Sequence, residues 1–313
     1  MWHFLITDLA APASALRAET LPRLPLLEAR LARGRRLPAR TPTWRHRLLA
    51  LAGQPAATEC DIPVGAHLAA AAGLVGPTDA ASWAVATPVR LVAGLDHVQL
   101  GAVQPSLPAA WVEAYNSALA GATVGVAEGG QLHASAAACL WSFAEPLLVK
   151  TYDPVPLVGH DIGPCLPVGP DAARLQRWMT EAQMWLHGFD AATERTNGLW
   201  PWGVGGTVAA SALPVLPWRV AGADVWINAL PVAAGAPPAR ITLWQLAEYA
   251  GAAGAFAVAD AAWLSQLEAT LVEHGRATVW LAGAAHELAL TDRWRVWRRW
   301  RSVTPWWASG ATL

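Results

Sequence analysis

The chain has 313 residues, 54% of them apolar and only 14% charged, and its formal net charge is −1. That composition supports a substantial buried core and excludes wholesale disorder. The near-zero charge excludes a global field that would draw in nucleic acid or anionic lipid, so either partner would need a local patch.

Trp2–Thr7 is a short apolar run closed by Asp8, and it predicts a first β-strand ending in a loop. The opening residues have no basic region ahead of the apolar run, so they do not read as a signal peptide. Pro22–Arg33 carries leucines at 24, 27 and 31 and predicts a helix. The basic, proline-containing stretch Gly34–Thr43 reads as a loop, and a second helix is expected near Trp44–Leu51. Ser82–Val89 and Val98–Val103 read as strands, Pro108–Leu119 as a helix, and Leu132–Phe143 as one or two further strands. The apolar runs Ala134–Ala144 and Tyr249–Ala259 are about 11 residues long, where a membrane helix needs about 20. A soluble, cytoplasmic protein without a membrane partner is therefore expected.

Residues 152–170, rich in Pro and Gly, form the clearest connector and a possible internal boundary in an otherwise single α/β domain spanning 1–313. Asp171 is placed to cap an amphipathic helix running to about His187. Gly198–Trp202 reads as a short aromatic strand that runs into a glycine turn at Gly203–Gly206. Beyond it Asp224–Asn228 reads as a strand, Leu230–Ala234 as a short helix, and Leu243–Tyr249 and Ala261–His274 as helices. Strands near Thr278–Leu281 and Glu287–Thr291 and a helix at Asp292–Arg301 complete the chain. Alternating strands and helices predict a mixed or mostly parallel sheet with helices on both faces.

Cys60, Cys139 and Cys165 are odd in number and share no CxxC spacing, which speaks against a disulfide framework or a structural zinc site. Lys150 is the only lysine, and the remaining basic side chains are arginines.

The most unusual segment is Thr180-Glu181-Ala182-Gln183-Met184-Trp185-Leu186-His187 followed by Arg195–Gly206. Glu181 and Gln183 are two apart on a helix and cannot share a face. Trp200 and Trp202 alternate onto one strand face, and the glycines permit a sharp turn or a close approach. One reading is a ligand pocket built from Glu181, Gln183, Asn197, Trp200, Trp202, Gly203, Gly205 and Gly206, with the three polar residues clustered at the glycine turn. The other is a buried aromatic strand supported by polar hydrogen bonds. Gly203–Gly206 is not a GxGxxG fingerprint and has no phosphate-loop lysine. Arg293, Arg295, Arg298, Arg299 and Arg301, interleaved with Trp294, Trp297 and Trp300, could contact an anionic surface or nucleic acid, or could simply flank a terminal helix that docks its tryptophans.

The runs at 180–187 and 194–206 resemble the hallmark of RpfE-type regulatory proteins, an Asn-Glu-x-Gln-Met helix followed by an Asn-Ser-x-Trp-x-Trp-Gly-Gly-Gly strand. Trp83–Leu91 is similar to that family's Trp-Leu-x-Ala-Asp-Pro-Val-His-Leu segment. Here Thr180, Thr87, Arg90 and Gly198 stand where the family favours asparagine, aspartate, histidine and serine. The Asn-x-x-Trp-x-Trp-Gly core is also similar to one in archaeal-type cofactor-independent phosphoglycerate mutases. The resemblance implies an alkaline-phosphatase-like core, with Asp8 where those enzymes hold a first metal. Their chemistry needs two divalent metals, a Ser or Thr nucleophile and several Asp and His ligands, and the sequence offers no such set. A regulatory or ligand-sensing protein without metal-dependent catalysis and without a cofactor is therefore expected, partnered by a small molecule or another protein, with nucleic acid disfavoured. The alternatives are a divergent phosphoglycerate mutase using Mn or Zn, or a nucleic-acid-associated factor acting through 293–301.

Overall fold

The computed structural model describes residues 2–7, 23–33, 35–38, 43–54, 56, 61–75, 80–104, 106–120, 130–188, 196–221, 224–236, 241–245, 268–269, 271–273, 277–282, 287–291 and 302–303. The chain divides into two compact units, one of residues 1–58, 216–223 and 232–313, the other of 59–215 and 224–231. The 152–170 connector falls inside the second.

The first unit holds a six-stranded sheet. Its strands are β1 (Trp2–Thr7), β2 (Arg35–Pro38), β8 (Val220–Ala221), β9 (Ile241–Gln245), β10 (Ala277–Ala282) and β11 (Glu287–Thr291), in the order β2-β11-β10-β1-β9-β8. β1 runs parallel to β9 and β10, and β8 parallel to β9. β11 is antiparallel to both β10 and β2. Helices α1 (Pro25–Arg33) and α2 (Trp44–Leu51) belong to this unit. The leucine spacing buries Leu24, just before α1, and Leu27 and Leu31 within it. The carboxylate of Glu28 turns back to accept the Leu24 N–H at 3.3 Å and the Arg23 guanidinium at 2.7 Å.

The second unit is built on an antiparallel sheet of β3 (Ser82–Ala93), β4 (Val98–Val103), β5 (Gln131–Ala134), β6 (Cys139–Phe143) and β7 (Gly198–Gly206). The expectation of a mostly parallel sheet is corrected here. Residues 94–97 and 135–138 join neighbouring strands through short links, which can make only antiparallel pairs because a parallel return needs a long crossover. The long strand β3 carries the sheet, pairing β7 along most of its length, β6 through Ser82–Val85 and β4 through Val89–Ala93.

This sheet has helices on both faces. On one, Ala84, Ala86, Trp141, Phe143 and Leu199 pack against Val112 and Tyr115 of α4 (Ala109–Ala120) and Leu175, Trp178, Ala182 and Leu186 of α5 (Ala172–His187). The Phe143 ring stacks on Trp178 at 5.0 Å, and Tyr115 sits edge-on to Trp141 and Trp185. Each large side chain buried in this way contributes roughly 1.5–3 kcal/mol. On the other face lies α3 (Val64–Ala71), buried from Val64 through Ala70. The short α6 (Val225–Ala229) packs on α3.

Among the described residues, one side chain covers the outer edge of β5 at Leu132. Asn116 of α4 donates Nδ2–H to the Leu132 carbonyl at 2.8 Å and accepts the Leu132 N–H at 3.0 Å. An amide matches a strand's alternating donor and acceptor, so it satisfies two groups that an edge would otherwise present.

Local expectations are corrected at five places. Arg35–Pro38 is a strand rather than loop. Asp224–Asn228 is not a strand, because Asp224 Oδ1 accepts the N–H groups of Trp226 (2.9 Å) and Ile227 (3.1 Å) and starts α6. Leu230–Ala234 is not helical but includes a bridge from Val232 to Leu216. Ile241–Gln245 is strand where a helix was expected from Leu243. Asp171 precedes α5, but its carboxylate accepts the Leu148 N–H at 2.8 Å instead of capping the helix. The helix expected at Asp292–Arg301 lies outside the described residues.

Candidate functional site

The aromatic motif forms a continuous strand on β3 rather than a strand and a turn. The register sets Trp202 opposite Val85 and Trp200 opposite Thr87. Partners in register share a face, so both indoles project to the same side. Both are buried, at 1% and 6% exposure. Burial of an indole requires an acceptor for its N–H. Trp200 Nε1–H donates to the Tyr152 carbonyl at 2.7 Å, and Trp202 Nε1–H to Thr87 Oγ1 at 2.7 Å.

Asn197, one residue before β7, is committed to the backbone of β3. Its Oδ1 accepts the Leu91 N–H at 2.6 Å and its Nδ2 donates to the Leu91 carbonyl at 2.8 Å, while its own N–H reaches Val89 O at 3.0 Å. The β3–β4 ladder passes from Arg90 opposite Ala102 to Leu91 opposite Leu100, so the extra residue is Gly101 on β4, and the amide holds the β3 backbone beside that bulge.

The glycines make room for a helix. A Cβ on Gly203, whose φ is +59°, would lie 2.7 Å from the Cβ of Val64, and one on Gly205 would collide with the Cβ of Pro63. A Cβ on Gly65 would come within 2.5 Å of the Ala84 backbone. Three glycines thus let the first turn of α3 lie directly on β3 and β7. The β3–β7 pairing shifts register between Trp83 and Val85, beside Gly203. Gly206 ends the strand in an exposed position.

Glu181 and Gln183 are not joined to Asn197. Leu175, Trp178, Ala182 and Leu186 are the inward residues of α5, which leaves Gln183 exposed and Glu181 half-buried. Glu181 pairs with Arg177 at 3.6 Å. Burial, and next the negative charge of Glu181, push the Tyr115 phenol above its ordinary pKa. Among the described residues no hydrogen bond links any two of Glu181, Gln183 and Asn197. Asn197 and Gly205 also stand eight positions apart along one extended run, about 26 Å at 3.2–3.4 Å per residue, so Asn197 does not join a cluster at the glycines.

Two histidines that the sequence reading passed over have specific partners. His67 is buried in α3, and its Nδ1 accepts the Trp226 Nε1–H at 3.0 Å. Desolvation lowers its pKa to about 4. His133 Nε2 lies 2.8 Å from Ser142 Oγ, and desolvation lowers its pKa as well. Both histidines are surrounded by alanine, glycine and apolar residues in the sequence and carry no spacing signal. Cys139 is buried and its thiol is pushed up to about 12 by desolvation, as expected of an inert core cysteine. Cys60 lies outside the described residues, as do Asp8 and the arginines at 293, 295, 298, 299 and 301. Among the described residues no three His, Cys, Asp or Glu side chains are grouped to hold a metal ion. No helix among them is long and apolar enough to cross a membrane.

A second place of interest lies in the first unit. β1 sits between two parallel neighbours, with Thr7 in register with Gln245 of β9 and Ala282 of β10. β9 precedes β10 in sequence yet lies on the opposite side of β1, so the strand order reverses there. In open α/β sheets ligands bind beyond the carboxyl ends of the strands at such a reversal. Asp8 follows Thr7 in sequence.

No family model matches the chain, and no curated protein matches it. Among solved structures it is similar to a cofactor-independent phosphoglycerate mutase from Thermoplasma acidophilum DSM 1728, at 11% identity and a TM-score of 0.35, covering 99% of this chain and 95% of that one. It is also similar to the PH0037 protein from Pyrococcus horikoshii, at 12% identity and a TM-score of 0.39, covering 99% and 92%.

Proposed function

We propose that this chain is a ligand-sensing regulatory protein of RpfE type with an alkaline-phosphatase-like core, acting without metal-dependent turnover. One observation carries the reading: the polar groups of the aromatic motif are committed to the protein's own framework. Asn197 holds Leu91, Trp200 holds Tyr152, and Trp202 holds Thr87. Thr87, where the RpfE-type pattern favours aspartate, serves as the acceptor for an indole. A Cβ at Gly198, where serine is favoured, would meet the Leu91 side chain at 3.3 Å from its Cδ1. The motif supports the strand pairing, and the ligand is assigned to the carboxyl ends of β1, β9 and β10. The test is turnover of 3-phosphoglycerate by the purified chain, with and without added manganese, beside a thermal-shift survey of small phosphorylated and carboxylated metabolites. A ligand-induced rise in melting temperature without turnover supports the reading, and metal-dependent interconversion of phosphoglycerates would sink it.

A second reading, a divergent phosphoryl-transfer enzyme using Mn or Zn, is favoured by the position of Asp8 in sequence, directly after the central parallel strand. The same turnover assay decides between the two.

A further inference from the structure

Residues 29–58 contain seven arginines and no aspartate or glutamate, in a chain whose formal net charge is −1. Arg30 and Arg45 are buried in their helices. Four of the others, Arg33, Arg35, Arg36 and Arg40, fall within eight residues. The middle of that run is β2, the terminal strand of the six-stranded sheet, whose strand partner among the described residues is β11, from Pro38 opposite Leu288 to Arg35 opposite Thr291. A terminal strand presents a row of backbone N–H and C=O groups to whatever lies beside it. The fold therefore places Arg35 and Arg36 of this basic stretch on a strand that is terminal among the described residues.

We propose that β2 is a docking edge that takes up an extended, acidic peptide segment of a partner protein as an added strand. Backbone pairing would supply part of the binding free energy, and the arginines would select an acidic sequence. A second copy of this chain is a poor occupant, because β2 against β2 sets arginine beside arginine and like charges opposed across strands are destabilising. Nucleic acid is a poor occupant too, since a phosphodiester backbone has no N–H and C=O groups to continue a ladder. Pro38 lacks an N–H, so the added strand registers on Arg35–Leu37. Charged residues and a proline on a short edge strand can instead serve to keep other strands away, and that role makes the opposite prediction. This inference is independent of the ligand assigned to the parallel strands.

The experiment uses the full chain and a fluorescent peptide of alternating glutamate and valine, read by anisotropy at low and high salt. Three companions are a peptide of the same sequence with alternate amides N-methylated, an oligothymidylate, and the chain carrying Arg35→Glu with Arg36→Glu. The expected result is saturable peptide binding that weakens by about tenfold or more in the double variant, as it does at high salt. N-methylation, which leaves every charge in place, should weaken binding at least as much, and the oligothymidylate should bind less tightly than the peptide. Absence of peptide binding overturns the proposal. So does equal binding of the methylated peptide, which would mean charge attraction without strand pairing, or tighter binding of the oligothymidylate. If the double variant does not fold, the methylated peptide decides the question on the unaltered chain.

Discussion

Replacing Asn197 tests whether the motif is a structural clasp. Asn197→Ala removes two hydrogen bonds, to the Leu91 N–H at 2.6 Å and the Leu91 carbonyl at 2.8 Å. Each contributes about 1 kcal/mol, and leaving both partners unpaired would cost about 1–3 kcal/mol in a dry site. Leu91 and Asn197 are only partly buried, so water reaches the freed groups in part, and a loss of about 2 kcal/mol is expected. That corresponds to a fall in melting temperature of about 5 °C for a unit of this size. Asn197→Asp is the sharper probe. One oxygen can still accept from the Leu91 N–H, but the other would face the Leu91 carbonyl, where charge is repelled. The folded state therefore raises the pKa of the new carboxyl above its unfolded value of about 3.9. A carboxyl with a raised folded pKa is best tolerated below that unfolded value, and the variant should lose stability as pH rises through it. Urea melts of the parent and both variants from pH 4 to 7 measure this. An alanine variant as stable as the parent, or an aspartate variant whose deficit ignores pH, would refute the clasp.

Gly65→Ala should destabilise by about 3 kcal/mol or more, beyond ordinary overpacking, because its Cβ would meet the Ala84 backbone, which cannot swing aside. Gly188→Ala, whose Cβ would have ordinary contacts, is the control, and equal melting of the two would show that α3 tolerates displacement. For His67 the folded pKa of about 4 lies below the usual 6.5, so the unfolded chain takes up the proton first and stability falls as pH drops from about 6.5 to about 4. His67→Gln, which keeps an acceptor for Trp226, should flatten that limb of the pH–stability curve. An unchanged slope would mean that His67 is free to ionise when folded.

Where a strand is half-buried or a helix amphipathic, its pattern was legible. β4, α1 and α5 stand close to the expected boundaries because one face is apolar and the other is not, and β1 does so because its apolar run is closed by Asp8 in the sequence. α3 was missed because it is buried from Val64 to Ala70. A helix with no solvent face has no period, and Gly65 lowers its propensity further. Asp224 misled the reading because Val225, Trp226 and Ile227 favour strands on propensity alone, and its cap overrides that. At the site, Trp200 and Trp202 were rightly expected to share a face. The role of the glycines was not legible, since glycine in sequence looks alike whether it frees a turn or admits a neighbour. Here the neighbour comes from Pro63 and Val64, some 140 positions earlier in the chain.

The pairing of β3 with β7 also has a temporal side. β3 ends at Ala93 and β7 at Gly206, 113 residues later (206 − 93). At a synthesis rate of about 5–20 residues per second, a nascent chain would hold the β7-facing edge of β3 unpaired for roughly 6–23 s. The Asn116–Leu132 contact closes over only 16 residues and can form as soon as its hairpin emerges. The edge that depends on Asn197, 106 positions from Leu91, must wait. During that interval the exposed ladder of an apolar strand is the part of the protein most open to mispairing, and the yield of folded chain should respond to anything that slows translation between Ala93 and Gly206.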